Sequence, residues 1–216
     1  MSLLTMSAQL AEGFLITVEI FVLTLLFSLP LGLIVAFGRM SGCKVIRIIS
    51  KIYISIMRGT PLMLQLMVVY FGPYYLFRIK VGSGYRLWAT FIGFVINYAA
   101  YFAEIYRSGI QSMPVGQYEA AQILGYSRFQ TFFKIILPQV IKRILPSVTN
   151  EVITLVKDTS LAFTLSVAEM FSIAKALAAS QTNMIPFVAA GLFYYIFNLV
   201  VAVGMEWVEK KMDYYR

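Results

Sequence analysis

Asn97, Tyr101, Glu104 and Ser108 recur at i, i+4, i+7 and i+11, a spacing that places them along one stripe of a helix. Glu151, Thr154 and Asp158 recur at i, i+3 and i+7 and form a second stripe. Such sets can hold a polar solute: carboxylates accept from an ammonium or guanidinium group, and amides and hydroxyls donate to a carboxylate. The competing use is internal pairing, Glu104 with Arg107 at i, i+3 or Lys157 with Asp158. Burying a charge in hydrocarbon costs about 2.5 to 3.5 kcal/mol on insertion scales, so each of these carboxylates must face protein, water or a ligand. Glu19 lies near the end of its apolar stretch and reads as interfacial.

Other chemistries are poorly supplied. Histidine is absent, which removes the commonest metal ligand and the usual neutral-pH proton relay. Cys43 is the only cysteine, so neither a disulfide nor a thiolate metal site is expected. No GxxxxGK[ST] phosphate loop occurs, so no ATP site of that kind is expected in this chain. The net charge of +8 does not point to nucleic acid, because no segment is long and polar enough to present a basic face. The many Phe, Tyr and Met residues read as packing or lipid-facing groups.

The elements that must position the stripes are membrane helices. The chain is 60% apolar and 13% charged, against about 25% charged in soluble domains. Uncharged runs cover 20–38, 59–77, 87–103 and 176–205, and a spanning helix needs roughly 17 to 25 mostly apolar residues. A further stretch, about Ile135 to Val156, carries Lys142, Arg143, Glu151 and two prolines, so its support comes from topology. Arg39, Lys44, Arg47, Lys51 and Arg58 fall in one inter-span region. Arg107, Arg128, Lys134, Lys142 and Arg143 fall in another, and Lys210, Lys211 and Arg216 follow the last span. Retention of these groups inside leaves Arg78, Lys80, Arg86, Lys157 and Lys175 outside or near the outer surface. An odd number of crossings is then required. The expectation is an all-α membrane protein, residues 1–216 forming one domain, with five transmembrane helices, the N-terminus outside and the C-terminus inside. Helix one is expected over about Ala11–Met40, helix two over Pro61–Phe77 and helix three over Leu87–Gly109. No basic residue precedes Arg39, so the first helix is expected to be retained rather than cleaved as a signal.

Residues 112–134 are too polar to span and too long for a turn. Pro114 suits a helix start, Gly125 a left-handed helix end, and Ser127 with Gln130 a capping box. The predicted form is a cytoplasmic elbow between helices three and four: a short helix, a glycine turn and a second helix re-entering the membrane. Such a projection suits the groove of a soluble partner.

The elbow reads Glu119-Ala120-Ala121, three residues, Gly125, nine residues, Ile135-Ile136-Leu137-Pro138. This resembles the EAA loop of ABC importer permeases. Arg58-Gly59-Thr60-Pro61-Leu62, Gln117, Pro138-Gln139 and Lys157-Asp158-Thr159-Ser160-Leu161 are similar to the polar amino acid uptake branch (histidine, arginine, lysine or glutamine type). The resemblance implies a type I importer in the cytoplasmic (inner) membrane of a prokaryote. Its partners would be a cytoplasmic ABC ATPase dimer that binds ATP and Mg, a second permease subunit (the same chain or a close paralogue), and an external substrate-binding protein. Glu119, Ala120, Ala121 and Gly125 would then couple the chain to the ATPase. The residues Asn97, Tyr101, Glu104, Glu151, Thr154 and Asp158 would line the pathway of a polar amino acid, and the excess of carboxylates leans towards a cationic one. Two rivals are a self-sufficient ion-coupled carrier, disfavoured by the odd span count and the lack of a repeat, and a purely structural membrane subunit.

Overall fold

The computed structural model describes residues 3–82 and 84–212, so Ser83 and Arg216 lie outside the described residues. The described residues are helical, without strands. In chain order the elements are α1 (Leu3–Met40), α2 (Lys44–Gly59), α3 (Leu62–Phe77), α4 (Tyr85–Gln111), α5 (Val115–Ile123), α6 (Arg128–Gln130), a π-helical turn (Thr131–Ile136), α7 (Leu137–Asp158), a 3-10 segment (Thr159–Leu165), α8 (Met170–Gln181) and α9 (Ile185–Lys211). Among the described residues, three helices (α1 from Leu4, α4 and α9) are long and apolar enough to cross a membrane. Two bent pairs raise the number to as many as five: α2 with α3, bent by 112°, and 128–165 with α8, bent by 59°.

Local chemistry explains both bends. Pro61 lacks an N–H and disfavours helical backbone at the residue before it; Thr60 is accordingly extended, with φ −124° and ψ 148°. In the second pair, Ser166 adopts φ 56°, and Glu169 then caps α8 by accepting from the N–H groups of Phe171 and Ser172, both at 2.7 Å.

Three boundaries differ from the expectations above. The first helix begins by Leu3, a full two turns before Ala11, because nothing in 3–10 breaks a helix. The basic inter-span region folds as α2, whose apolar residues follow helical spacing. The uncharged run 176–205 is divided, since Thr182 turns at φ 47° and Asn183 Oδ1 accepts from Ile185 N at 3.0 Å to start α9. Hydropathy does not register that break, because its residues are uncharged.

The core is built on α4. Phe94, Tyr98 and Phe102, at successive i+4 positions, are buried together with Ile20, Leu66 and Leu155. Between membrane helices, close van der Waals contact replaces the hydrophobic driving force, which favours small residues at the contact. Gly32 of α1 meets this need: a Cβ there would stand 2.9 Å from Phe102 Cβ and 3.0 Å from the Ala99 carbonyl oxygen. Met6 and Leu10 of α1 pack with Met170, Ala174 and Ala190, which brings the beginnings of α1, α8 and α9 to one end of the bundle. The opposite end gathers Met113, Ile136, Val140 and Ile144. Large apolar side chains such as Leu26, Phe27, Ile34, Leu192 and Trp207 remain exposed on the outside of the bundle, as lipid-facing residues are.

Candidate functional site

The broken α2–α3 pair creates a polar point inside the bundle. Ending a helix leaves carbonyls without partners, and in a membrane these must be satisfied by protein. Gln65 does this: its Nε2 donates to the carbonyls of Met57 (2.9 Å) and Thr60 (3.1 Å) and to Thr60 Oγ1 (2.8 Å). Asn97, only 3% exposed, donates from Nδ2 to Gln65 Oε1 at 2.9 Å and to the Met57 carbonyl at 3.2 Å.

Beside this network is a cavity of about 300 Å³. The break contributes Thr60 and Pro61, α4 contributes Asn97, Tyr98 and Tyr101, and α7 contributes Glu151, Thr154 and Asp158. The two stripes therefore meet: five of the six residues expected along a pathway line one cavity. Asp158 Oδ2 accepts from the hydroxyl of Tyr98 at 2.7 Å, so its partner is a tyrosine of α4. The guanidinium of Arg58 sits 5.3 Å from the centroid of the Tyr101 ring, a cation–π distance at the cavity's edge.

Glu104 and Ser108 lie further along α4 and are not among the cavity's lining residues. Arg107 donates to both Glu104 carboxylate oxygens, through Nε at 3.0 Å and through Nη2, and also binds Gln111. Ser108 donates to the Ile105 carbonyl. The internal pairing weighed for Glu104 is the arrangement observed.

Residues 112–134 run from the cap of α4 through α5, a tight turn and α6 into the π-helical turn. Gly125 takes φ 78°, with the Gly125 and Tyr126 N–H groups donating to the Gln122 and Ala121 carbonyls, both at 3.0 Å. Ser127 and Gln130 form the reciprocal capping box. Glu119 and Ala120 are exposed, whereas Ala121 is buried. Arg143 of α7 donates to the Ser112 carbonyl at 2.7 Å and to its hydroxyl at 3.1 Å, and Gln139 Nε2 donates to Gln117 Oε1 at 3.3 Å. Gln139 thereby ties the short helix, and Arg143 the end of α4, to the helix that carries Glu151 and Asp158.

Sequence reasoning missed Gln65, Tyr98 and Glu169. Gln65 is a lone amide in an apolar run, a signal that was available. Tyr98 stands one residue off the polar stripe, and its role appears only when α7 is brought against α4. Glu169 is fully buried, held by two N–H groups and by Tyr194 OH at 3.1 Å. It stabilises the start of α8. Among the described residues no group of three or more His, Cys, Asp and Glu could hold a metal ion.

The arginine transport system permease protein ArtQ of Bacillus subtilis is 35% identical over 202 residues, which cover 93% of this chain and 91% of that protein. The L-cystine transport system permease protein TcyB of the same organism is 33% identical over 208 residues, covering 95% and 87%. The solved structure of an amino acid ABC transporter with histidines superposes with a TM-score of 0.86 at 28% identity, over 98% of this chain and 99% of that one. Residues 28–214 match the family model described as the binding-protein-dependent transport system inner membrane component, and the chain belongs to that family.

Proposed function

We propose that this chain is the transmembrane subunit of an ABC importer and forms, with a second permease subunit, the inward pathway for a polar amino acid with a preference for cationic side chains. The cavity carries the reading. It presents Glu151 and Asp158 to a solute, while the amide of Asn97 and the hydroxyls of Thr60, Tyr101 and Thr154 offer neutral polar partners. No lysine or arginine is among its lining residues. Arg58, against Tyr101, is a cation beside the cavity that can meet a substrate carboxylate. The relatives named for arginine and for L-cystine bracket the class: both are amino acids, one cationic and one with two zwitterionic ends.

With each bent pair counted as one span the chain crosses five times, N-terminus outside and C-terminus inside. The distribution of cations supports this orientation, since Arg39, Arg107, Lys134, Arg143 and Lys210 belong to the ends or connections at the α5 end of the bundle. An external substrate-binding protein delivers the solute to the opposite end. ATP and Mg are held by a separate ATPase dimer, which docks on the surface presented by Glu119, Ala120 and Gly125, while Ala121 packs inward and holds α5 in place. Closure of the ATPase moves α5, and the Gln139–Gln117 contact passes that movement to α7 and the cavity. The cavity then alternates between outward and inward access.

The test is uptake into proteoliposomes containing the permease, its ATPase and its binding protein, across a panel of amino acids. ATP-dependent uptake that favours arginine, lysine or histidine is expected. Uptake driven by an ion gradient without ATP would support the carrier reading instead, and ATP-dependent uptake confined to neutral amino acids would remove the cationic preference.

A further inference from the structure

Helix α2 carries basic and apolar side chains at separate helical spacings. Val45, Ile49, Ile52 and Ile56 follow i, i+4, i+7 and i+11, and each is at least 50% exposed. Lys44, Arg47 and Lys51 follow i, i+3 and i+7 and are exposed as well. The third face packs: Ile54 is buried with Ala36, Ala100 and Ala103, and the Tyr53 hydroxyl donates to the Ile96 carbonyl of α4. At about 100° per residue, the three faces lie roughly a third of a turn apart.

We propose that α2 is an interfacial helix of the inner leaflet that binds anionic phospholipid headgroups through Lys44, Arg47 and Lys51. Its faces are the first ground. With one side against the bundle, the isoleucine stripe and the basic stripe fall on opposite flanks, one towards hydrocarbon and the other towards headgroups and water, which is the arrangement of a helix lying in a membrane interface. Direction is the second. The helix stands at 112° to α3, so it runs across the span that α3 makes rather than along it. It starts beside the basic end of α1, where a Cβ on Gly38 would stand 2.6 Å from Ser50 Oγ and 3.5 Å from Ile46 Cγ2. Charge is the third ground. Residues 20–103 contain no Asp or Glu, and Glu104, the next acid along the chain, is held by Arg107. Among the described residues Lys44, Arg47 and Lys51 make no ion pair, and Arg47 lies near the Cys43 thiol. Cations so placed are attracted to an anionic leaflet.

A second copy of the chain is the alternative occupant, and charge argues against it. A symmetric pair sets the same patch on both sides of a two-fold axis. Pairing through α2 would oppose these cations to their own copies, with no acid on the helix to offset them. The far end of α2 gives lipid binding a consequence. The Met57 carbonyl accepts from Gln65 and Asn97, and the Thr60 carbonyl accepts from Gln65, so the helix held by the leaflet is the one that ends at the polar cavity.

The inference rests on the inward orientation of the basic ends given above. The experiment uses the assembled transporter in nanodiscs of phosphatidylcholine alone or with phosphatidylglycerol, comparing wild type with K44Q/R47Q/K51Q. Native mass spectrometry reads lipid retention and subunit composition, and ATP-dependent transport is measured in matched proteoliposomes. Wild type should retain phosphatidylglycerol and be stimulated by it. The triple variant should assemble and transport normally in pure phosphatidylcholine and lose affinity for phosphatidylglycerol by about five-fold for each cation removed. The single variant K51Q should show one such step, and K44R/K51R, which keeps the charge, should match wild type. Equal retention and equal stimulation in the triple variant would overturn the proposal. So would loss of the ATPase from the triple variant in phosphatidylcholine, which would make α2 a protein surface, or ready disulfide formation between copies carrying Ile49→Cys in a Cys43→Ser background, which would make it a subunit interface. Retention reads α2 alone; a failure of the importer reading would instead abolish ATP-dependent transport in every lipid.

Discussion

The hydroxyl of Tyr98 donates to Oδ2 of Asp158 at 2.7 Å, joining the centre of α4 to the last residue of α7. This bond shields a carboxylate inside the bundle and ties the two helices together at the cavity.

Tyr98→Phe removes the bond and keeps the ring, which packs among Phe94 and Phe102. Hydrogen bonds between membrane helices contribute about 0.6 kcal/mol on average, with a maximum near 1.7. A loss of about 1 kcal/mol in the assembled complex is expected, read as a small drop in thermal stability. The substrate profile should change as well, because Asp158 is left without its donor. An unchanged profile would make the bond purely structural.

Glu104 and Asp158 are expected to part company under neutral isosteric replacement. Glu104→Gln keeps size but breaks a charged pair with Arg107, so stability should fall and transport of all amino acids should decline together. Asp158→Asn sits on the cavity and should reduce uptake of cationic substrates more than neutral ones. The measurement is the same uptake panel beside a thermal melt. If neither variant altered rates or preference, the pathway assignment would have to be given up, while family membership would stand.

Gly125 separates backbone conformation from packing. Its φ of 78° is unfavourable for a side chain, yet a Cβ there would meet nothing within 4 Å. The strain of Gly125→Val is therefore conformational, on the order of 1 to 3 kcal/mol and confined to the turn. The variant should insert normally and then fail to assemble with its ATPase or lose substrate-stimulated hydrolysis. Gly125→Asn, which tolerates the left-handed region better, should be milder. Wild-type assembly and transport by the valine variant would withdraw the coupling role.

Orientation is tested by cysteine labelling in a Cys43→Ser background, since Cys43 is exposed. A cysteine at Ser83 should react with a membrane-impermeant reagent added outside, and one at Ser127 only when the inside is opened. External labelling at position 127 would reverse the topology and remove α5 from any cytoplasmic partner.

Much of the site was legible one helix at a time. Asn97 and Tyr101 share a stripe of α4 and Glu151, Thr154 and Asp158 a stripe of α7, because helical periodicity is local and the surrounding residues are apolar. The capping box at Ser127 and the left-handed Gly125 were equally local, being set by side chains within a few residues. Family membership was carried by the elbow's fixed spacing, which a linear sequence records in full. What the tertiary structure decided was which groups face one another. The two stripes could each have faced lipid, a partner or each other; packing of α7 against α4 through Phe94, Tyr98 and Leu155 turned both onto one cavity. The same packing gave Asp158 a tyrosine partner and left Glu104 with Arg107, a choice between local and distant partners that no spacing rule contains. The break at Thr60 and Pro61 could be suspected from the proline, but the glutamine that satisfies its carbonyls and the asparagine bonded to that glutamine lie five and 37 residues beyond Thr60. Apolar solvent requires every buried carbonyl to find a donor in the protein, and only the assembled bundle determines where that donor comes from.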